Sequence, residues 1–254
     1  MSKVFIAVGH GGADPGAVAN GLRESDMNLV MALSLKSELD RHGVTTGISR
    51  TKDENDPLSE EIKKANAFGP DLAVACHNNA GGGDGFEVLY QTNEFTKKSY
   101  ELARSIEKEV LKIGQNTRGC KIKQNSNGQD YFGFLREVRC PSVICEGVFL
   151  DSSDRLIADT EAEQQAFGIA YAKGILKTLG IEYIEEVVGV PEVPAWGNKL
   201  EISRYNTIAE VPIWGKEAIQ VLVDKKYIAD GNNLKLTEDM VRLLVINYRA
   251  GAYK

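Results

Sequence analysis

Apolar residues along this chain follow two alternating rhythms. Short apolar runs at residues 4–8, 71–77 and 141–150, the last interrupted by one glutamate, read as buried strands, with further strand candidates at 44–50 and 85–91. Between them, apolar residues recur at helical spacing. In the segment 24–39 the stripe is Met27, Val30, Met31, Leu35 and Leu39, and a glycine just beyond, Gly43, supplies the stop. Helices are likewise expected at 60–68, 96–113 and 161–179. Strands alternating with helices predict an α/β fold, a mainly parallel twisted sheet flanked by helices on both faces.

Near residue 181 the rhythm stops. "IEYIEEVVGVPEVPAWGNK" combines two prolines and several acids with no helical period, and reads as a linker over 181–197. Two short helices around "ADGNN" follow, so residues 198–254 are expected to form a small helical C-terminal domain, and residues 1–180 the main one. The chain of 254 residues is long enough for this division.

Charge and composition narrow the partners. The formal net charge of −6 gives no support for nucleic-acid binding, which calls for a basic surface. No stretch approaches the ~18 apolar residues of a membrane span, and the opening "MSKVFIAVGHGG" has an apolar run too short for a signal peptide. The expectation is synthesis in the cytoplasm and, for an external substrate, action after release. Cys76, Cys120, Cys140 and Cys145 form no CxxC pair and are expected to be free thiols.

Two histidines interrupt the pattern at corresponding places. His10 and His77 each follow directly on an apolar run, and in open parallel sheets ligands gather at the carboxyl ends of strands. Glu24 opens its helix on the same face as Met27 and Met31, where a carboxylate is costly unless it is paired or binds metal; the helix dipole alone also favours an acid there. Glu146 is the only charge in "SVICEGVFL", so it either serves a site or pairs with Arg136 or Arg139 upstream. Two imidazoles and one carboxylate are a donor set suited to zinc, with a further glutamate as base. "GHGGADPG" lacks the features of a phosphate-binding loop, so its glycines read as turn residues beside a metal.

The blocks "VGHGGADPGAVANGLRESDMN", "ISRTKDENDPLSEEIKKAN", "PDLAVACHNNAGGGDGFEVLY", "FGFLREVRCPSVICEGVFLDSSD" and "EQQAFGIAYAKGI" carry a resemblance. In this order they are similar to the zinc-dependent N-acetylmuramoyl-L-alanine amidases of bacterial autolysins and phage endolysins, over roughly residues 3–180. The resemblance implies that His10, Glu24 and His77 bind Zn2+ and that Glu146 is the catalytic acid/base. It implies cleavage of the bond between N-acetylmuramic acid and L-alanine in cell-wall peptidoglycan. A phage endolysin is the role expected; a host autolysin or sporulation amidase, a zinc peptidase of the stem peptide and an inactive wall-binding protein are the alternatives. The chain departs from the family where Ala75-Cys76 stands for the usual Ser-Ile and Asp151-Ser152 for the usual Ser-Asn. Cys76 is expected to pack rather than to act as a substitute ligand. The tail from Trp196 is loosely similar to surface-layer-homology modules, which implies wall binding. Its small size, with only a modest core of its own, points to docking or self-association, and a structural cap without a binding role is the alternative.

Overall fold

The computed structural model describes residues 2–185, 204–228, 231–232 and 234–249. The chain divides into two units, 1–185 and 186–254. In the first unit the elements run in the order β1 (Lys3–Val8), β2 (Val18–Ala19), β3 (Leu22–Arg23), α1 (Glu24–Arg41), β4 (Thr45–Ile48), α2 (Leu58–Phe68), β5 (Leu72–Asn79), β6 (Phe86–Tyr90), α3 (Thr96–Lys112), β7 (Thr117–Lys121), α4 (Gly133–Glu137), β8 (Ser142–Phe149) and α5 (Glu161–Leu179). A short 3-10 turn, Ser153–Ile157, precedes α5. The central sheet has six strands in the order β4-β1-β5-β8-β6-β7.

The four strands β4, β1, β5 and β8 are mutually parallel, as the sequence rhythm predicts. The sheet is nevertheless mixed, because β6 runs antiparallel to β8. The cause is the six-residue connection "AGGGDG" between β5 and β6, about half of what a parallel crossover needs. The chain must turn straight back, so β6 begins at the end of the sheet where β5 and β8 finish. That reversal brings Glu87 beside Glu146 in the pairing register, while His77 lies beside Glu146 on the other side.

Helices cover both faces. Met27, Met31 and Leu35 of α1, Leu102 and Ile106 of α3, and Phe167 and Tyr171 of α5 bury against Val4, Ile6, Val74, Val143 and Cys145. On the opposite face Ile62 and Ala65 of α2 and Phe134 and Leu135 of α4 pack on Phe5, Ala7, Ala73, Ala75 and Ile144. Cys76 and Cys145 belong to the first core, turned away from His77 and Glu146 that follow them, and all four cysteines are free.

Helix α5 starts on a reciprocal cap, with Thr160 accepting from the Glu163 N–H and Glu163 accepting from the Thr160 N–H. It then meets α1 at Gly168, where a β-carbon would stand 2.3 Å from the Met31 carbonyl oxygen. The two helices approach backbone to backbone at this point.

The first unit continues to Glu185, five residues past the boundary expected from the sequence. His42 is the reason. Its Nε2 accepts from the Ile184 N–H (2.9 Å), its ring stacks on Tyr183 at 4.7 Å, and the Tyr183 hydroxyl donates to Glu38 (2.8 Å). The rest of the expected linker, from residue 186, lies outside the described residues.

In the second unit β9 (Arg204–Tyr205) pairs with β10 (Leu236–Thr237), and α6 (Ile213–Asp224) packs with α7 (Glu238–Arg249). Val211, Ala218, Ile219, Leu222, Leu234, Val241 and Val245 form its core. Among the described residues no helix is long and apolar enough to cross a membrane.

Gly168→Ala tests the helix contact. Alanine is the better helix former, yet the substitution is expected to destabilise by about 1–3 kcal/mol through overpacking. Urea unfolding measures it, and a gain in stability would mean that α1 and α5 separate readily.

Candidate active site

The site lies where β1, β5 and β8 end. Val8 is in register with Cys76, so the chain beyond β1 runs beside His77. A β-carbon on Gly9 would stand 2.1 Å from His77 Cε1; only a glycine lets that ring lie against the neighbouring strand. His10 then adopts φ +62, a left-handed backbone that costs a non-glycine residue about 1–3 kcal/mol and is found where function over-determines the geometry. Arg50, 2% exposed, braces this bend by donating to the carbonyls of Val8, Gly9 and Ser25.

The loop after His10 closes on itself through Gly11 and Asp14, whose backbone groups exchange hydrogen bonds of 2.7 and 3.1 Å. Asp14 is thereby returned to His10, its Oδ2 lying 2.9 Å from Nδ1. The loop amides are occupied: Gly12 donates to Asp53 and Ala13 to Asn55. They are not arranged as a phosphate cradle. A tight hairpin, β2–β3, follows with Asn20 and Gly21 at its turn, both at positive φ. It delivers the chain to Glu24 at the first position of α1.

Glu24 is 4% exposed and holds the centre of the site. Its Oε1 lies 3.3 Å from His10 Nε2 and 3.0 Å from His77 Nδ1. Oε1 also accepts from the Asn78 N–H (3.1 Å), and Oε2 from the Ala17 N–H (3.0 Å). Asn28 donates to the Gly9 carbonyl and accepts from Asn78, which ties α1 to both strand ends. Burial pushes the Glu24 carboxyl up, but the hydrogen bonds with His10 and His77 outweigh it and hold the group well below the usual carboxylate range. The Glu24 hydrogen bond raises His10 to about 9 against the opposing effect of burial, with Asp14 adding to the rise. His77, which burial pushes down, is raised by Glu24 and Glu146.

The potential ligand atoms of His10, Glu24 and His77 all lie within 4.8 Å of one another. Two imidazoles and one carboxylate at this separation fit a divalent transition metal and leave coordination positions for water or substrate. The Asp14 carboxylate behind His10 orients that ring, as outer partners of metal-binding imidazoles do.

Glu146 sits one strand away from His77. Its carboxylate makes no hydrogen bond or ion pair among the described residues, and Arg136 instead binds Glu137 and the Asp130 carbonyl. The buried ion pair weighed from the sequence is therefore not formed. Burial raises Glu146 to about 7, with His77 pulling it down and Glu24 and Glu87 pushing it up. Glu87 itself is held ionised by Arg118 (2.7 Å) and Lys121 (2.6 Å).

A cleft of about 640 Å³ opens beside this cluster, with His10, His77, Glu61, Leu58, Phe134 and Ile144 in its wall. Glu61 is a buried acid that the sequence reading passed over; burial raises it to about 7. It had a detectable signal. Leu58, Ile62 and Ala65 form the apolar stripe of α2, and Glu61 stands on that stripe, three residues after Leu58 and four before Ala65.

The sheet thus gathers at its strand ends a buried imidazole–carboxylate cluster able to hold a metal ion, beside a second carboxyl poised near neutrality. The sequence profile of the N-acetylmuramoyl-L-alanine amidases matches residues 4–177. The chain is 34% identical over 187 residues to the sporulation-specific N-acetylmuramoyl-L-alanine amidase of Bacillus subtilis, covering 72% of this chain and 70% of that one. It is 34% identical over 190 residues to the endolysin of Bacillus phage SPP1, covering 72% and 68%. Among solved structures, the N-acetylmuramoyl-L-alanine amidase from Clostridium difficile 630 superposes with a TM-score of 0.64 at 29% identity, over 70% of this chain and 97% of that one. The catalytic domain of the amidase CwlV from Bacillus (Paenibacillus) polymyxa gives 0.64 at 25% identity, over 72% and 100%. The chain belongs to the N-acetylmuramoyl-L-alanine amidase family, and it is a hydrolase of peptidoglycan.

Because His10 without metal holds its proton up to about 9, metal binding must displace that proton. Affinity for a divalent metal is expected to fall as pH drops below about 9, with protons released on binding. Calorimetry in buffers of different ionisation enthalpy checks this, and binding without proton release would exclude His10 as a ligand.

Proposed function

We propose that this chain is a zinc-dependent amidase that cleaves the bond between N-acetylmuramic acid and L-alanine, with His10, Glu24 and His77 as the metal ligands and Glu146 as the catalytic acid/base. The observation that carries this reading is the convergence of the three donor groups within 4.8 Å beside a buried carboxyl poised at about 7. A zinc ion on these residues would supply Lewis acidity at the scissile carbonyl and lower the pKa of water.

The chain's own residues supply the rest. Glu24, fixed by the amides of Ala17 and Asn78, orients both imidazoles. Glu146 takes a proton from the attacking water at its carboxylate and returns it to the nitrogen of the departing L-alanine. A group that titrates at about 7 serves both steps. Leu58, Phe134 and Ile144 give the cleft an apolar wall beside the reacting centre.

Lysis of the wall as a phage endolysin is the role we assign, acting on peptidoglycan once the protein has reached it; similarity to the phage SPP1 endolysin supports it. Equal identity to a sporulation amidase supports the host role as the second reading. Rapid clearing of vegetative walls by the purified protein favours the first, and activity confined to spore walls the second. For residues 198–254 we propose wall attachment, read by whether their removal lowers binding to intact walls.

Glu146→Gln is expected to keep the metal stoichiometry and to lose at least about 100-fold in kcat. Substantial residual turnover would remove Glu146 from the mechanism. Wild-type kcat/KM should fall on the acid side as Glu146 takes up its proton. The fall is expected at a pH below the value of about 7 that holds without metal, because a bound cation lowers a neighbouring carboxyl. The same residue has a cost in the metal-free protein. Its folded-state value lies above the 4.5 of the free carboxyl, so ionisation opposes folding; the penalty is absent below 4.5 and complete above about 7. Metal-free Glu146→Gln should therefore melt higher than metal-free wild type at pH 8, and at the same temperature at pH 4.

A further inference from the structure

Glu61 has no part in the chemistry described so far, and its position asks for one. It is 4% exposed, yet among the described residues its carboxylate forms no ion pair, and His77, His10 and Lys64 act on it only through their charge. Its neighbour Lys64 is taken by Asp56 (2.7 Å) and by the Ser49 carbonyl (2.6 Å). The carboxylate faces the cleft beside the metal cluster, and no lysine or arginine lines that cleft. Asp14 and Asp56 stand in the same wall, but each is paired, with His10 and Lys64 respectively, which leaves Glu61 as its unpaired acid among the described residues.

The remainder of the cleft wall is apolar: Leu58 from the start of α2, Phe132 and Phe134 at α4, and Ile144 of β8. Such a wall favours a chain of methylene groups, and the carboxylate favours a cation at its end. A carboxylate or phosphate in the same place would meet like charge in a low-dielectric setting.

We propose that this cleft is a subsite for an aliphatic, amine-bearing side chain of the stem peptide, with Glu61 accepting hydrogen bonds from the ammonium group while Leu58, Phe132, Phe134 and Ile144 enclose its methylenes. The proposal rests on the amidase reading above. Glu61 is then the residue that selects substrates carrying a diamino acid, and it acts through substrate binding.

The test uses the full-length, zinc-loaded protein and two soluble N-acetylmuramoyl tripeptides that end in lysine or in norleucine, which keeps the alkyl chain and lacks the amine. Release of peptide with a free L-alanine terminus is followed for both. Wild type should prefer the lysine substrate by about ten- to 100-fold in kcat/KM, the size of one charge-assisted hydrogen bond, and mainly through KM. Glu61→Gln should lose most of that preference, and Glu61→Leu should reverse it. Equal kcat/KM for the two substrates in wild type overturns the subsite. So does a Glu61→Gln enzyme whose kcat falls equally on both with the preference intact, which would place Glu61 with the reacting water. Should either variant fail to fold, as judged by its melting curve, the wild-type ratio and the other variant decide. A failure of the amidase reading looks different: neither tripeptide would yield L-alanine-terminated product.

Discussion

One buried carboxylate organises the catalytic unit. Glu24 is removed from water at the start of α1, where its desolvation would be prohibitive without compensation. Compensation comes from four directions: two imidazoles and the amides of Ala17 and Asn78. They come from three segments, so satisfying Glu24 draws together the loop after β1, the end of β5 and the chain entering the hairpin before α1. The left-handed backbone at His10 and the bare backbone at Gly9 are local concessions to that convergence.

Burial likewise governs the neighbouring acids. It raises both Glu146 and Glu61, with the ionised Glu24 adding to the rise at Glu146 and Asp56 adding to it at Glu61. Glu87 lies beside Glu146 in the sheet but is neutralised by Arg118 and Lys121, so it stays charged and adds to the pressure on Glu146. Glu24 and Glu87 are thus lowered while Glu146 and Glu61 are raised, a difference set by their surroundings alone, which is how acid and base functions are separated within one site. The result is a centre able to hold a metal next to a carboxyl that exchanges protons near neutral pH.

Much of the site was legible because its residues break local patterns. His10 and His77 end apolar runs, and Glu146 is a lone charge within one; an expensive residue type in a buried run signals a compensating partner. Glu24 was readable from its phase with Met27 and Met31. Glu61 follows the same logic, but it is one of two adjacent acids, Glu60 and Glu61, in a helix rich in charge, so its place on the stripe was masked by its neighbours. Asp14, Asn28 and Asn78 carried no such signal. Small polar residues in and beside loops are common, and only the folded chain shows that they hold Glu24 and His10.

The sequence by itself determined the alternation of strands and helices, the two-sided burial of the sheet and the identity of the residues too costly to bury without a purpose. These follow from side-chain periodicity and local chemistry, which neighbouring residues carry. Tertiary structure alone decided what depends on distant segments. The five-residue α4 is too short for a helical period to show, and the edge strand β7, "TRGCK", has no apolar alternation. The reversed β6 is set by a short connection, and with it the placement of Glu87 beside Glu146. The cleft likewise exists only where α2, α4 and β8 meet, because a cavity belongs to the space between elements and to no one of them.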